Sequence, residues 1–457
     1  MTIANAPSRA IGEMAAALRL GDIPAPVVTR AKLHVLDALG LALASSTMDF
    51  GHAALAAARA MSEGGDCAVI GRSERLPMRD AAMVNGVLVH GLDFDDTHLA
   101  SIIHATATAL PAALAVGEAE GASGADLLAA FIAGAETGIR VGLAVDGGFH
   151  HTGHHATGMV SHFASAVTAG RLLGLSGEAI AAAQGIAGST ASGIQVFLEE
   201  GAWTKRLHPG WGAVAGITAA HLAAARFKSP NRVYEGRFGL FHAHLHGQDT
   251  KDEELARDIG TVWHFGETAL KPYPVCHFIH GCADAAIDLH HEIAGTPIVA
   301  VEAMLAEPTL HIVCEPAAAK QRPTNEYEVK FSAQFVTAWC LLYGRFGLPD
   351  LLPEAIADPA ALALAQKVTC KVDPDSRFPE FYSGGVKVTL ADGRVLSRHV
   401  AVNSGAGDNA LSEAQVAAKF MASASLAIGE AQAATIRDAV LRLEDLPVRE
   451  FASLLRA

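Results

Sequence analysis

"GADLLAAFIAGAETGIRVGLAV" runs from Gly124 to Val145, and its reading decides the fold class. Its apolar residues recur at helical spacing, yet charge interrupts them well before the ~18 apolar residues that a membrane span requires. The design recurs in "VVTRAKLHVLDALGLALASS" (Val27–Ser46) and "ATGMVSHFASAVTAGRLLGL" (Ala156–Leu175), with glycines marking helix ends. "SGEAIAAAQGIAGSTASG" (Ser176–Gly193) opens on a serine suited to an N-cap. From about Pro26 to Arg226 the pattern is therefore helical almost throughout. It contains no strand–glycine-loop–helix unit, no GxGxxG and no GxxxxGK[ST], so the common modes of nucleotide binding are not expected.

Composition agrees. The chain has 457 residues, 51% hydrophobic and 18% charged, which suits a globular protein of two or three domains. Aromatics are only 6% and alanine and glycine are abundant, which favours closely approaching helices. The formal charge of −14 and the lack of a basic run argue against nucleic acid or an anionic membrane as partner. A small anion would need a local cationic pocket within this repelling field. The N-terminal "MTIANAPSRAIGEMAAALRL" has no basic end followed by an apolar block and cleavage site, so a cytoplasmic protein is expected. The six scattered cysteines, without a CxxC pair, read as buried thiols.

The pattern changes near Glu267. "GTPIVAVEAMLAEPTLHIVC", "AQKVTCKVDP" and "GGVKVTLADGRVLSRHVAV" alternate in β-branched residues, and "ADGR" (Ala391–Arg394) marks a hairpin turn. Helical patterns return within this region and dominate again from Leu411. The expected fold is mainly α: a large all-helical domain from residues 1–266 and 404–457, with a smaller α+β domain, 267–403, inserted into it.

Four clusters concentrate chemistry. In "GLDFDDTHLASIIHATATALP" (Gly91–Pro111), a helix over Val87–Thr97 would place His90, Asp93 and Thr97 on one face. Asp95 would then face outward as a surface or capping residue, and His104 would follow from a turn. A capped helix end accounts for this segment equally well. In "FHHTGHHATG" (Phe149–Gly158), His150/His154 and His151/His155 have the i, i+4 spacing of helical metal ligands, without the glutamate of HExxH. In "EEGAWTKRLHPGWG" (Glu199–Gly212), Lys205 lies in a loop-like passage that Trp203 and Trp211 would partly enclose. In "LKPYPVCHFIHG" (Leu270–Gly281), two prolines stiffen the entry to a helix whose first turn holds His277. The helix dipole there favours a neutral, proton-accepting ring. A buried histidine with a satisfied hydrogen bond reads equally well. No Gly-x-Ser-x-Gly elbow or activated cysteine is present, so the residues point to proton transfer on a small anion.

These motifs, with "AGSTASGIQVFLEEGAWTKRLHPGWG", "YEVKFSAQF" and "LSEAQVAAKF", fall in the order found in the MmgE/PrpD family, which the chain resembles over nearly its whole length. That family includes 2-methylcitrate dehydratase, cis-aconitate decarboxylase and iminodisuccinate epimerase. The resemblance implies a helical domain with an inserted lid, a homodimer and no obligatory organic cofactor; no metal is expected at the site. It also implies a site comprising Asp93, Thr97, His104, His150, Lys205, Lys271 and His277. The chain departs from the family pattern in four places, one of them the histidine-rich "HHTGHH" (His150–His155) where relatives have a more proline-containing version. His104 precedes alanine instead of proline, one extra residue separates Thr97 from His104, and no tyrosine stands at 315–317.

The expected substrate is a small di- or tricarboxylate held by Lys205, Lys271 and Thr97. Asp93, His104, His150 and His277 would carry the proton transfers. Dehydration of a 2-methylcitrate-like hydroxy acid is the favoured reaction, with decarboxylation or epimerisation by the same apparatus as alternatives. A metal-dependent hydrolase using the 150–155 histidines with an aspartate is the remote alternative.

Overall fold

The computed structural model of the chain describes residues 6–456. It divides into two compact units: residues 6–197, 203–268 and 412–456, and residues 198–202 with 269–411.

The first unit is helical. Its helices include α1 (Pro7–Ala17), α2 (Ala25–Ser46), α3 (Asp49–Met61), α4 (Met78–His90), α5 (Ala105–Glu120), α6 (Gly124–Val145), α7 (Gly148–His151), α8 (Ala156–Leu172) and α9 (Gly177–Ala187). After α10 (Phe197–Glu200), which straddles the unit boundary, comes α11 (Thr204–Ala224). Local chemistry sets the ends. Pro26 occupies the first turn of α2, Ser123 and Ser176 cap α6 and α9 through the amides of Asp126 and Ala179, and Gly121 closes α5 at φ 67°. A two-stranded ribbon, β1 (Cys67–Ala68) with β2 (Arg75–Leu76), precedes α4.

Helix α8 lies against α5, α6, α9 and α11. Small residues permit this. A Cβ on Gly212 of α11 would come within 2.3 Å of Ser161 Cβ on α8, and one on Gly86 of α4 within 2.4 Å of Gly210 Cα on α11. Among the described residues, α6 is the one helix long and apolar enough to cross a membrane, and 94% of its apolar window is buried within the unit, as in a core helix.

The charges that interrupt the α6 sequence are themselves buried. Arg140 Nε lies 2.8 Å from Glu136 Oε1, and the guanidinium donates to the carbonyls of Glu254, Arg257 and Val262. Glu136 in turn accepts the amides of His264 (3.3 Å) and Phe265 (2.9 Å). The pair thus satisfies itself while tying the irregular segment 254–265 onto the helix. The returning helix Glu413–Ala424 packs on α2, and its Lys419 Nζ reaches Asp37 (2.8 Å) and the carbonyl of Phe94 (2.8 Å).

The second unit holds a four-stranded sheet in the order β4-β3-β5-β6: β3 (Ile298–Leu305), β4 (Val368–Val372), β5 (Gly384–Leu390) and β6 (Val395–Val400). Strand β3 runs parallel to β4, while β3/β5 and β5/β6 are antiparallel. The expected Ala391–Arg394 turn joins β5 to β6, with Gly393 at φ 88°. A helix over His280–Ile293 packs on the sheet and on helix Ala333–Tyr343.

The compact units part at 268/269 and 411/412, not at the 266/267 and 403/404 expected from pattern changes. Residues 404–411 remain with the second unit because Gly405 bonds back to it. Its carbonyl accepts from Leu270 N (3.2 Å), and the neighbouring Ser404 amide donates to Asp284 Oδ2 (2.8 Å). No disulfide joins the described cysteines, and Cys67, Cys282, Cys314 and Cys340 are buried.

Candidate active site

The aspartate-rich segment is not a helix. Helix α4 ends at His90, and Asp93 takes φ 52°, a left-handed conformation that a continuing helix excludes. The chain then turns through a short hairpin, with His98 N donating to Ile103 O at 2.8 Å, and enters α5 directly after His104. Short acidic side chains that bond nearby groups compete with helix, which explains why the expected Val87–Thr97 helix stops early.

The burial of all three aspartates corrects the outward assignment of Asp95. Asp95 Oδ2 lies 2.8 Å from His90 Nδ1, and Asp95 Oδ1 lies 3.5 Å from His104 Nδ1. Asp96 closes the start of α5. Its carboxylate accepts from Thr106 N (3.1 Å), from the Thr106 hydroxyl and from His34 Nδ1 (2.6 Å). Burial opposes ionisation of Asp96, but the bonds from His34 and Thr106 outweigh it and hold the carboxyl below its ordinary range. Thr97 is buried, and its Oγ1 has no hydrogen-bond partner among the described residues.

His104 carries its own tautomer assignment. Its Nδ1 lies 2.8 Å from the Asp96 carbonyl oxygen, which can only accept. Nδ1 therefore bears the hydrogen and, in the neutral ring, Nε2 presents a lone pair. That Nε2 is 3.8 Å from Asp93 Oδ1, while Asp93 Oδ2 is 2.7 Å from Lys205 Nζ. Lys205 belongs to the first turn of α11, not to a loop, because Thr204 starts the helix. Trp203 and Trp211 do not enclose it: they are 47% and 48% exposed.

The histidine run breaks where its i, i+4 pairs were expected. Helix α7 ends at His151, Gly153 sits at φ 82°, and His155 becomes the residue immediately before α8. His155, absent from the sequence-derived site, lies with its ring 5.7 Å from His90 and 6.3 Å from His104, and its Nδ1 is 2.9 Å from His208 Nδ1. Ring nitrogens of His90, His104 and His155 fall within 4.8 Å of one another, as do ligand atoms of Asp93, Asp95 and His104, so either set has metal-binding spacing. His150 stands 6.5 Å from His155, ring to ring. Burial and then the Lys205 charge depress His150 to about 4; burial first, then neighbouring imidazoles and Lys205, also depress His155 and bring His208 to about 4. These rings are neutral near pH 7.

Three helix N-termini thus converge: α5 behind His104, α8 behind His155 and α11 bearing Lys205. Helix starts carry unpaired amides and partial positive charge, an arrangement suited to a small anion in a chain of charge −14.

Lys271 and His277 belong to the second unit, where both are buried. His277 opens the short 3₁₀ turn His277–Ile279 that leads into helix His280–Ile293. Asn403 Oδ1 accepts from Tyr382 N (3.1 Å), which turns its Nδ2 toward His277 Nε2 at 3.0 Å. Nε2 therefore accepts, and the ring is held neutral with its hydrogen on Nδ1. Tyr382 packs edge-on against His277 at 5.4 Å. Neither Asn403 nor Tyr382 carried a sequence signal, since no spacing links 277 to 382 or 403.

Models of the MmgE/PrpD N-terminal and C-terminal domains match residues 9–253 and 273–445. The chain belongs to the MmgE/PrpD family. As a member it is similar to a cis-aconitate decarboxylase-like protein of Aspergillus oryzae, 28% identical over 93% of this chain and 92% of the relative. It is also similar to the cis-aconitate decarboxylases of Aspergillus terreus (27%, covering 94% and 91%) and Homo sapiens (30%, covering 94% and 90%). This MmgE/PrpD enzyme is a lyase.

Proposed function

We propose that this enzyme decarboxylates a cis-aconitate-like tricarboxylate, with proton delivery to a carbon beside a carboxylate. The observation that carries the proposal is the tautomer-fixed His104 Nε2 beside the Lys205–Asp93 pair at three helix N-termini, in a chain whose relatives are cis-aconitate decarboxylases. In the proposed step the bond to one carboxylate breaks and releases carbon dioxide. Its electron pair shifts through the adjacent double bond, and the far carbon, itself next to a carboxylate, takes a proton. His104 Nε2 first takes a proton from water, Asp93 steadies the imidazolium, and Nε2 then delivers that proton to the carbon. Lys205, the helix-start amides and the Thr97 hydroxyl stabilise the charge that develops on the substrate carboxylate. The same proposal gives Lys271 a carboxylate-binding role and makes His277, whose Nε2 lone pair is taken by Asn403, a hydrogen-bond donor through Nδ1. His155, its ring 6.3 Å from His104, joins the proposed site beside His90, whose ring is 4.5 Å from His104.

The test is proton NMR in deuterium oxide with cis-aconitate and 2-methylcitrate offered in parallel. The expected outcome is carbon dioxide release from cis-aconitate with one deuterium entering beside a carboxylate. His104→Gln should lower turnover by about 10²–10⁴. Elimination of water from 2-methylcitrate, without carbon dioxide release, would replace this reading by the dehydratase one.

A further inference from the structure

We infer that His98, His264 and Glu267 form a binding site for a divalent transition-metal ion of the zinc class, outside the catalytic cluster. Two ring nitrogens face one carboxylate oxygen: His98 Nε2 and His264 Nδ1 each lie 3.7 Å from Glu267 Oε2. The three ligand atoms fall within 4.8 Å of one another, with His98 buried, His264 half-buried and Glu267 exposed. Tetrahedral zinc places nitrogen and oxygen ligands about 2.0–2.2 Å from the ion, hence roughly 3.3 Å apart, so each histidine need approach the Glu267 oxygen by only a few tenths of an ångström. The open side leaves room for water as the fourth ligand.

Both halves of the site are prepared. Ser101 Oγ lies 2.9 Å from His98 Nδ1 and 3.4 Å from the His98 carbonyl oxygen. The hydroxyl can thus accept from Nδ1–H while donating to the carbonyl, leaving Nε2 as the ligand, an arrangement typical of metal-bound histidine. The Ser101 amide, 3.3 Å from the same nitrogen, favours the other tautomer, so loading requires the ring proton to move to Nδ1. On the other half, the buried Glu136 carboxylate holds the amides of His264 and Phe265, and Arg140 holds the segment leading to them. The His264–Glu267 turn is thereby fixed before any ion arrives. His98 starts the hairpin that ends at His104, so an ion here would brace the loop carrying the catalytic imidazole.

The inference is independent of the proposed reaction. Untagged, chelator-treated protein is titrated with Zn²⁺ by calorimetry and with Co²⁺ by visible absorption. One equivalent should bind, and both His264→Ala and Glu267→Gln should weaken it by about tenfold or more while retaining metal-free turnover. His155→Gln should bind as the unsubstituted chain does. Absence of stoichiometric binding, or binding indifferent to Glu267→Gln, overturns the site. Binding lost in His155→Gln but kept in His264→Ala also overturns it, by placing the ion among His90, His104 and His155.

Discussion

Asp93 shows how much of the site depends on one residue. At φ 52° it occupies a conformation that aspartate tolerates better than most residues, at a cost of about 1–2 kcal/mol. The turn points its carboxylate at Lys205 Nζ, 2.7 Å away, with both side chains buried. The value of such a pair lies less in net stability than in the penalty for breaking it, because an ion left buried without its partner keeps the desolvation cost. Lys205→Met should therefore abolish turnover and cost about 3–5 kcal/mol in urea denaturation. The double variant Asp93→Asn/Lys205→Met should recover most of that stability while staying inactive. A double variant as unstable as the single one would mean that the pair is not the source of the loss. Lys205, His104 and Asp93 were legible in the sequence as residue types. Their contacts were not, because 112 positions separate Asp93 from Lys205.

The elements that hold these residues were read from apolar periodicity, which marked the long helices well because burial on one face leaves a 3.6-residue repeat. Periodicity could not mark where helices cross. At the α4/α11 crossing, Gly86 and Gly210 bring the two backbones together. One of these helices ends in His90, and the other begins just before Lys205. A methyl group on Gly86 would sit 2.4 Å from Gly210 Cα and 2.6 Å from its nitrogen, backbone atoms that cannot rotate away. Gly86→Ala should therefore destabilise by about 2 kcal/mol despite alanine's better helix propensity, and lower turnover as α4 and α11 separate. Chemical denaturation with parallel kinetics measures both; a stabilised, fully active variant would show the crossing to be looser than drawn. Periodicity also misled at Val87–Thr97, where the polar residues fit a helical face but their side chains found buried partners off the helix.

At the scale of the whole molecule, the buried neutral histidines set a pH dependence. His150, His162 and His208 are each depressed to about 4, in every case chiefly by burial. Their unfolded counterparts titrate near 6.5, so the unfolded chain binds more protons between about 6.5 and 4. Stability is full above 6.5 and falls as pH drops through that window. For His162 alone, buried on α8 and outside the catalytic cluster, the loss between pH 7 and pH 5 should be about 2 kcal/mol. Urea denaturation at both pH values should show His162→Gln losing about that much less than the unsubstituted chain. An equal loss would mean that His162 titrates normally in the folded state.

The sequence by itself determined the long helices, the strand-rich character of the second unit and which four segments concentrate the titratable groups. These properties are local: periodicity, capping and turn chemistry act over a few residues. It also carried the family likeness, since ordered motifs persist when most positions have changed. Only the tertiary structure decided that Asp95 turns inward to His90, that His155 joins His104, and that Asn403 fixes the tautomer of His277. Each of these depends on hydrogen bonds or burial between elements that periodicity cannot pair. Burial then changes the chemistry itself, because a desolvated imidazole is neutral where a solvated one would be partly charged.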